Sequence, residues 1–271
     1  MQSTDIITYG VNYDYYVYER FVGSLNKTGF TGKIHIIIRD KDVSHIHKLQ
    51  QFYSNVIYFI DNATKLHIHI NNHRFFVINN YINANLITSE YVFFCDMRDV
   101  LFQLNIQSYK IDTNVDLYGF LEGIKIHQDK QCNSKWIKEL ETIMDIPIYD
   151  KISNNHVICC GTTLAKTNIF KIYVSTMCDI LTKFNITTNL DQGIHNYIIY
   201  LNVLKNVNVH LLTNEDNLVN TVGCDLKLLN NHNFIINKSE QISYVVHQYD
   251  RFIEDFKQKI SENLGYNFIL H

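Results

Sequence analysis

The residues best suited to chemistry follow the apolar run Tyr91-Val92-Phe93-Phe94-Cys95, in the stretch Asp96-Met97-Arg98-Asp99-Val100-Leu101-Phe102-Gln103. An unbroken apolar run of this length reads as a strand buried on both faces of a parallel sheet. Ligands in such sheets bind outside the carboxyl ends of the strands, where Asp96 and Asp99 would project. Paired carboxylates are what a hard divalent cation needs when it also carries substrate phosphates. The competing reading is a charged turn, with Asp96 capping a helix and Arg98 paired to Asp99 in solvent.

Three further positions carry reactive side chains. His247, in Val245-Val246-His247-Gln248-Tyr249-Asp250-Arg251, ends a short strand, where a neutral imidazole can complete a metal site. With 13 histidines in the chain, a structural role competes with ligation. Asp191-Gln192 opens a helix, either as a plain cap or with its carboxylate facing a sugar hydroxyl. Arg74 lies at the start of the helix before the Asp96 strand, either solvated or as a fork for phosphate.

These positions need elements to hold them. Ile6–Tyr9, Ile34–Ile38, Val56–Ile60 and Tyr91–Cys95 read as strands. Helical stretches over Tyr15–Leu25, Val43–Phe52 and His73–Ala84 separate them; in the last, Phe75, Ile78 and Ile82 share one face. That alternation means βαβ units and a parallel sheet. After Asp99 the pattern loosens. Val115–Phe120 reads as a strand, Ser134–Met144 as a helix, and Val157–Gly161 as a strand entering a tight turn. Helices follow over Thr167–Phe184 and from Asp191 to Leu201, then short strands over Val207–Leu212 and Tyr244–His247. A last helix, Arg251–Ile260, would present Phe252, Phe256 and Ile260 on one stripe.

Composition sets the outer bounds. The chain has 271 residues, 46% hydrophobic and 19% charged, which supplies one large α/β domain with a core. A net charge of −3 disfavours a nucleic-acid binder. No apolar stretch approaches the ~18 residues of a membrane span, and no secretory signal is visible, so a cytoplasmic setting is expected. The six cysteines form no zinc-ligand spacing and read as reduced, mostly buried thiols. The scarcity of Pro and Gly, with heavy use of Asn, Ile and Tyr, fits an AT-biased genome such as those of some giant DNA viruses.

The order of the motifs is more specific than any one of them. The succession Thr8-Tyr9-Gly10, Arg74, Asp96 to Gln103, Cys159-Cys160-Gly161-Thr162, Asp191 to Tyr197 and His247 to Arg251 resembles the GT-A, nucleotide-diphospho-sugar type of glycosyltransferase, in a bacterial and viral branch. The likeness runs from about Ile6 to Arg251, and its acidic and terminal motifs are the specific parts. It implies a single GT-A domain with a mostly parallel, Rossmann-like sheet flanked by helices. Residues 1–103 would form the nucleotide-sugar-binding half and 104–271 the acceptor-side half.

The resemblance also implies roles. Asp96 takes the leading acidic place that holds Mn²⁺ or Mg²⁺ on the donor diphosphate. The short form of that motif has its second Asp where this chain has Arg98. Either Asp99 ligates instead, or Arg98 supplies part of the ion's charge. His247 matches a late histidine that reaches the ion. Thr8, Tyr9 and Gly10 match the loop holding the nucleoside, with Tyr9 or a neighbour stacking on the base. Arg74 matches a contact to donor phosphate or sugar. The Cys160-Gly161-Thr162 turn and Asp191-Gln192 match segments lining the sugar and acceptor side, with Asp191 near the anomeric carbon or the acceptor hydroxyl. The implied partners are a nucleotide-sugar donor, most commonly a UDP-sugar, and a glycan or glycoprotein acceptor, whose choice would lie in loops such as Gly123–Cys132 and Asn214–Gly223. Two other functions compete. A nucleotidyltransferase needs a Gly-rich loop with a basic residue after the first strand, and Thr8-Tyr9-Gly10-Val11-Asn12-Tyr13 offers one Gly and no cation. A non-catalytic sugar- or protein-binding module would have no need to keep Asp96, Asp99 and His247 together.

Overall fold

In the computed structural model, which describes residues 2–63, 67–224, 228–251 and 259, the short apolar runs form strands at the expected places. These are β1 (Thr4–Tyr9), β2 (Ile34–Ile38), β3 (Val56–Ile60) and β4 (Tyr91–Cys95). Helices α1 (Tyr15–Lys27), α2 (Val43–Gln50) and α3 (Ile70–Asn83) connect them. Beyond β4 come β5 (Val100–Phe102), β6 (Leu117–Lys125), α4 (Asn133–Met144), α5 (Tyr149–Ile152) and β7 (His156–Lys166). Then follow α6 (Thr167–Lys183), α7 (Asp191–Tyr200), β8 (Val209–Leu212), β9 (Val219–Thr221), β10 (Leu228–Leu229), β11 (Ile235–Ile236) and β12 (Val245–His247).

Seven strands form one sheet in the order β3-β2-β1-β4-β7-β6-β8. Every neighbouring pair is parallel except those of β7, which runs antiparallel to both β4 and β6. The single domain is thus a mostly parallel sheet flanked by helices. Alternation along the central strands feeds both faces: Ile7 and Phe94 belong to the core under α3 and α6, while Ile6, Phe93 and Cys95 belong to the core under α1 and α2.

Two features beyond β4 differ from the sequence reading. Residues 156–166 run straight through Gly161 as one strand, so the expected turn at Cys160-Gly161-Thr162 is corrected to mid-strand. Gly161 is there for space, as the site below shows. Val100–Phe102, which no pattern announced, forms a second, three-stranded sheet in the order β5-β12-β9. Its register sets His247 opposite Val100 on one side and Thr221 on the other. Gln103 fixes this sheet from beneath: its amide donates to the carbonyls of Ile235 and Ser243, and its oxygen accepts from the Ile235 amide. The stripe Phe252, Phe256 and Ile260 lies outside the described residues. No helix among the described residues is long and apolar enough to cross a membrane.

Candidate active site

The parallel strands end at a cavity of about 510 Å³, lined in sheet order by Tyr9 at the end of β1 and Val11 after it, Asp96 after β4, and Cys159, Cys160 and Gly161 of β7. Its centre joins distant parts of the chain. Asp96, Asp99 and His247 each offer a ligand atom, all within 4.8 Å of one another. His247 Nε2 stands 3.8 Å from Asp96 Oδ2 and 3.7 Å from Asp99 Oδ2, too far for hydrogen bonds, and it is buried without a partner. Its other nitrogen, Nδ1, lies 3.5 Å from Cys159 Sγ; an N–H donated there leaves Nε2 bare toward the carboxylates.

A divalent ion fits this arrangement. Donors on either side of an ion at about 2.1 Å each stand up to about 4.2 Å apart, and the two imidazole–carboxylate separations fall inside that limit. Gly161 leaves room for them. A Cβ at that position would come within 2.5 Å of Asp96 Oδ2 and within 2.8 Å of the His247 ring. The charge balance points the same way. Burial would raise the Asp96 carboxyl, but the Arg74 guanidinium and His247 overcome it and hold it at about 2. Burial wins at Asp99 and pushes that carboxyl up, with Asp96 adding to the shift. For His247, burial favours the neutral ring, yet Cys159, Asp99 and Asp96 together draw its pKa well above that of ordinary imidazole. Asp96 has the Arg74 guanidinium for its positive charge, whereas Asp99 faces the imidazole.

Arg74 is neither solvated nor directed at open space. It is 8% exposed, and its two terminal nitrogens donate to Asp96 Oδ1 and, at 2.7 Å, to Asp191 Oδ2. The guanidinium therefore binds the two acidic positions to each other, a role its planar fork fits. Asp191 is the first residue of α7 rather than its cap, and Leu190 takes the cap position. Gln192 accepts from the Cys160 amide and donates to the Ile158 carbonyl. One turn on, Asn196 bonds both backbone groups of Ile158, so α7 covers the edge of β7 left open where β4 ends.

Other expected positions fall around this centre. Arg98 does not pair with Asp99: its Nε meets Asp250 at 3.0 Å, and the side chain is 61% exposed at the cavity rim. Its carbonyl accepts from Arg20 and from the Tyr249 hydroxyl, which fixes the turn. Tyr9 lines the cavity and donates its hydroxyl to Asp61 at 2.7 Å. Thr8 is fully buried in β1 and Gly10 packs beside Met97, so neither lines the cavity.

Several lining residues were not anticipated: Tyr13, Glu122, Asn133, Trp136 and Asn189; Cys132, from the loop expected to choose the acceptor, and Cys159, from the Cys-Cys-Gly-Thr motif, line it too. Cys159 had a signal, because strand alternation puts it on the same face as Gly161. Glu122 breaks an apolar strand, and burial pushes its carboxyl up. The thiols of Cys95, Cys159, Cys160 and Cys178 are free and buried, and Cys132 is free and exposed.

No protein-family model and no curated protein sequence matches the chain. Solved structures match it over almost its full length. The galactosyltransferase LgtC in complex with donor and acceptor sugar analogues has a TM-score of 0.56 at 12% identity, covering 98% of this chain and 97% of that one. Mouse xyloside xylosyltransferase 1 has a TM-score of 0.51 at 8% identity, with coverages of 92% and 99%. The glycosyltransferase GlyE of Streptococcus pneumoniae has a TM-score of 0.54 at 13% identity, covering 100% of this chain and 66% of that one. At these identities the likeness is one of architecture: the chain has the GT-A fold.

Proposed function

We propose that this chain is a glycosyltransferase that moves a sugar from a nucleoside-diphosphate donor, UDP-linked by preference, to a glycan or protein-linked glycan. The observation that carries this reading is the convergence of Asp96, Asp99 and the partnerless His247 Nε2 on one cavity of a GT-A fold. These three residues would hold a divalent cation, Mn²⁺ or Mg²⁺. Once bound, the cation supplies positive charge against the diphosphate that accumulates charge as it departs.

The chain's own residues do the rest. Arg74 has both terminal nitrogens committed to carboxylates, so it holds Asp96 and Asp191 in place rather than grasping phosphate. Arg98 and Arg251, at the exposed rim, are the cations set to meet the diphosphate. Tyr9 and Val11 line the end of the cavity beside β1, where the nucleoside would lie. Asp191, 4% exposed and fixed through one oxygen, stands beside the ion ligands where the sugar would sit. Residues 1–103 supply the nucleotide side and 104–271 the acceptor side, with His247 reaching back from the second half.

Thermal denaturation with UDP tests the reading: Mn²⁺ should add to the stabilisation and EDTA should remove it. Released nucleoside diphosphate from a panel of nucleotide sugars then identifies the donor. No stabilisation by any nucleotide together with no turnover of any nucleotide sugar would overturn it.

A further inference from the structure

The first turn of α4 also lines the cavity. Asn133 lies there, 4% exposed, and donates its amide to Asp129 at 2.7 Å. Its carbonyl oxygen, Oδ1, is buried and has no partner. A buried acceptor left unpaired is destabilising unless something in the cavity donates to it. One turn along α4, Trp136 lines the same cavity and is half-buried against the core. It is the chain's single tryptophan. A flat indole beside an unpaired amide oxygen suits a saccharide ring, which offers an apolar face and hydroxyl donors together.

The sheet order says which saccharide. Across the floor the cavity runs from β1 to Asp96 after β4, then to β7, and α7 lies over the open edge of β7. The peptide of Trp136 faces α7, since a Cβ at Gly193 would meet it at 3.4 Å. A donor spanning from β1 to the ion would place its own sugar beside Asp191. The α4 residues pack against α7, at the β7 end of this row and not the β1 end.

We infer that Asn133 and Trp136 form the acceptor saccharide subsite, with a sugar hydroxyl donating to Asn133 Oδ1 and the ring lying against the indole. This rests on the glycosyltransferase reading for its assignment to the acceptor. The binding it describes is measurable without a donor.

Trp136 is its own reporter. Titration with lactose, maltose, cellobiose and xylobiose, each without nucleotide, should give saturable change in tryptophan emission with at least one disaccharide. Asn133→Ala, checked for folding by its thermal transition, should weaken that response at least tenfold. By calorimetry with the same disaccharide, Trp136→Phe should keep most of the affinity and Trp136→Ala should lose it. In transfer assays Trp136→Ala should raise the acceptor KM tenfold and move the donor KM less than twofold. Silence from all four disaccharides, or an equal response in folded Asn133→Ala, overturns the subsite. So does a KM effect that falls on the donor. The UDP and Mn²⁺ thermal shift run in parallel separates the two claims. Nucleotide binding without a saccharide response removes the subsite alone; a saccharide response with no nucleotide binding and no turnover of any nucleotide sugar keeps the saccharide site but removes the transferase reading and the acceptor assignment with it.

Discussion

Gly161→Ala isolates the ion site from the fold. Gly161 sits in the middle of β7 without a positive φ, so alanine meets no backbone strain there. The three atoms nearest the added methyl all belong to the proposed ligands: Asp96 Oδ2 at 2.5 Å and the His247 ring at 2.8 and 2.9 Å. The first contact is 0.9 Å short of the 3.4 Å at which ordinary contact begins. Neither neighbour yields easily, because Asp96 is tied to Arg74 and His247 is 1% exposed. Ligand distances in working ion sites vary by only about 0.2 Å, several times less than the displacement needed here. The expected cost is therefore about 10–100-fold in Mn²⁺ affinity, or about 1.4–2.8 kcal/mol, read by calorimetric titration. Overpacking of about 1–3 kcal/mol would lower the thermal transition while leaving a cooperative, folded protein. Mn²⁺ affinity within twofold of wild type, in a folded variant, would refute the claim that Asp96 and His247 share one ion.

Three other outcomes follow from the same geometry. Asp96→Asn should abolish sugar transfer with far-ultraviolet circular dichroism unchanged, and wild-type turnover would remove the acidic motif from the mechanism. Arg74→Met leaves Asp191 buried without its cation and should cost about 3–5 kcal/mol in urea unfolding; a loss under about 1 kcal/mol would mean the clamp is not needed. His195, fully buried and 2.8 Å from the Tyr173 hydroxyl, is held by burial at about 3, so it stays neutral when folded. Because its folded pKa lies below the unfolded value of about 6.5, its contribution is complete above that value and is lost as pH falls toward 3. By about pH 5 wild type should have lost about 2 kcal/mol from this group, and His195→Gln should lack that part of the slope. Equal slopes for the two proteins would refute it.

The first four strands were legible because each is built on a short apolar run, unbroken in Val56–Ile60 and Tyr91–Cys95, and such a run between helices has few other places in a globular fold. β5 was not legible: three residues carry no period, and only pairing with β12, far along the chain, makes Val100–Phe102 a strand. Gly161 read as punctuation because glycine usually marks a turn, whereas its purpose here is proximity of two side chains that join the site only in three dimensions. Arg74 was legible as a candidate but not in its role. Which anion a guanidinium meets depends on α3 packing across β4 toward α7, and no local pattern encodes that. The terminal motif divides in a similar way: His247 faces the cavity, while Asp250 goes to Arg98 and Tyr249 to a backbone carbonyl. Gln103, the last letter of the acidic motif, ties down the backbone of Ile235 and Ser243 and takes no part in the chemistry.

The small sheet gives the proposed ion a second task. Asp96 and His247 stand at opposite ends of a very long stretch of polypeptide, and the strand carrying the imidazole is only three residues long. A cation gripping both would act as a staple, and staples that close long loops remove the most freedom from the unfolded chain. Protease digestion should then depend on metal: cleavage within residues 235–243, which Gln103 anchors, should slow when Mn²⁺ is added and quicken in EDTA. The same ion that receives the leaving group would keep its own binding wall shut.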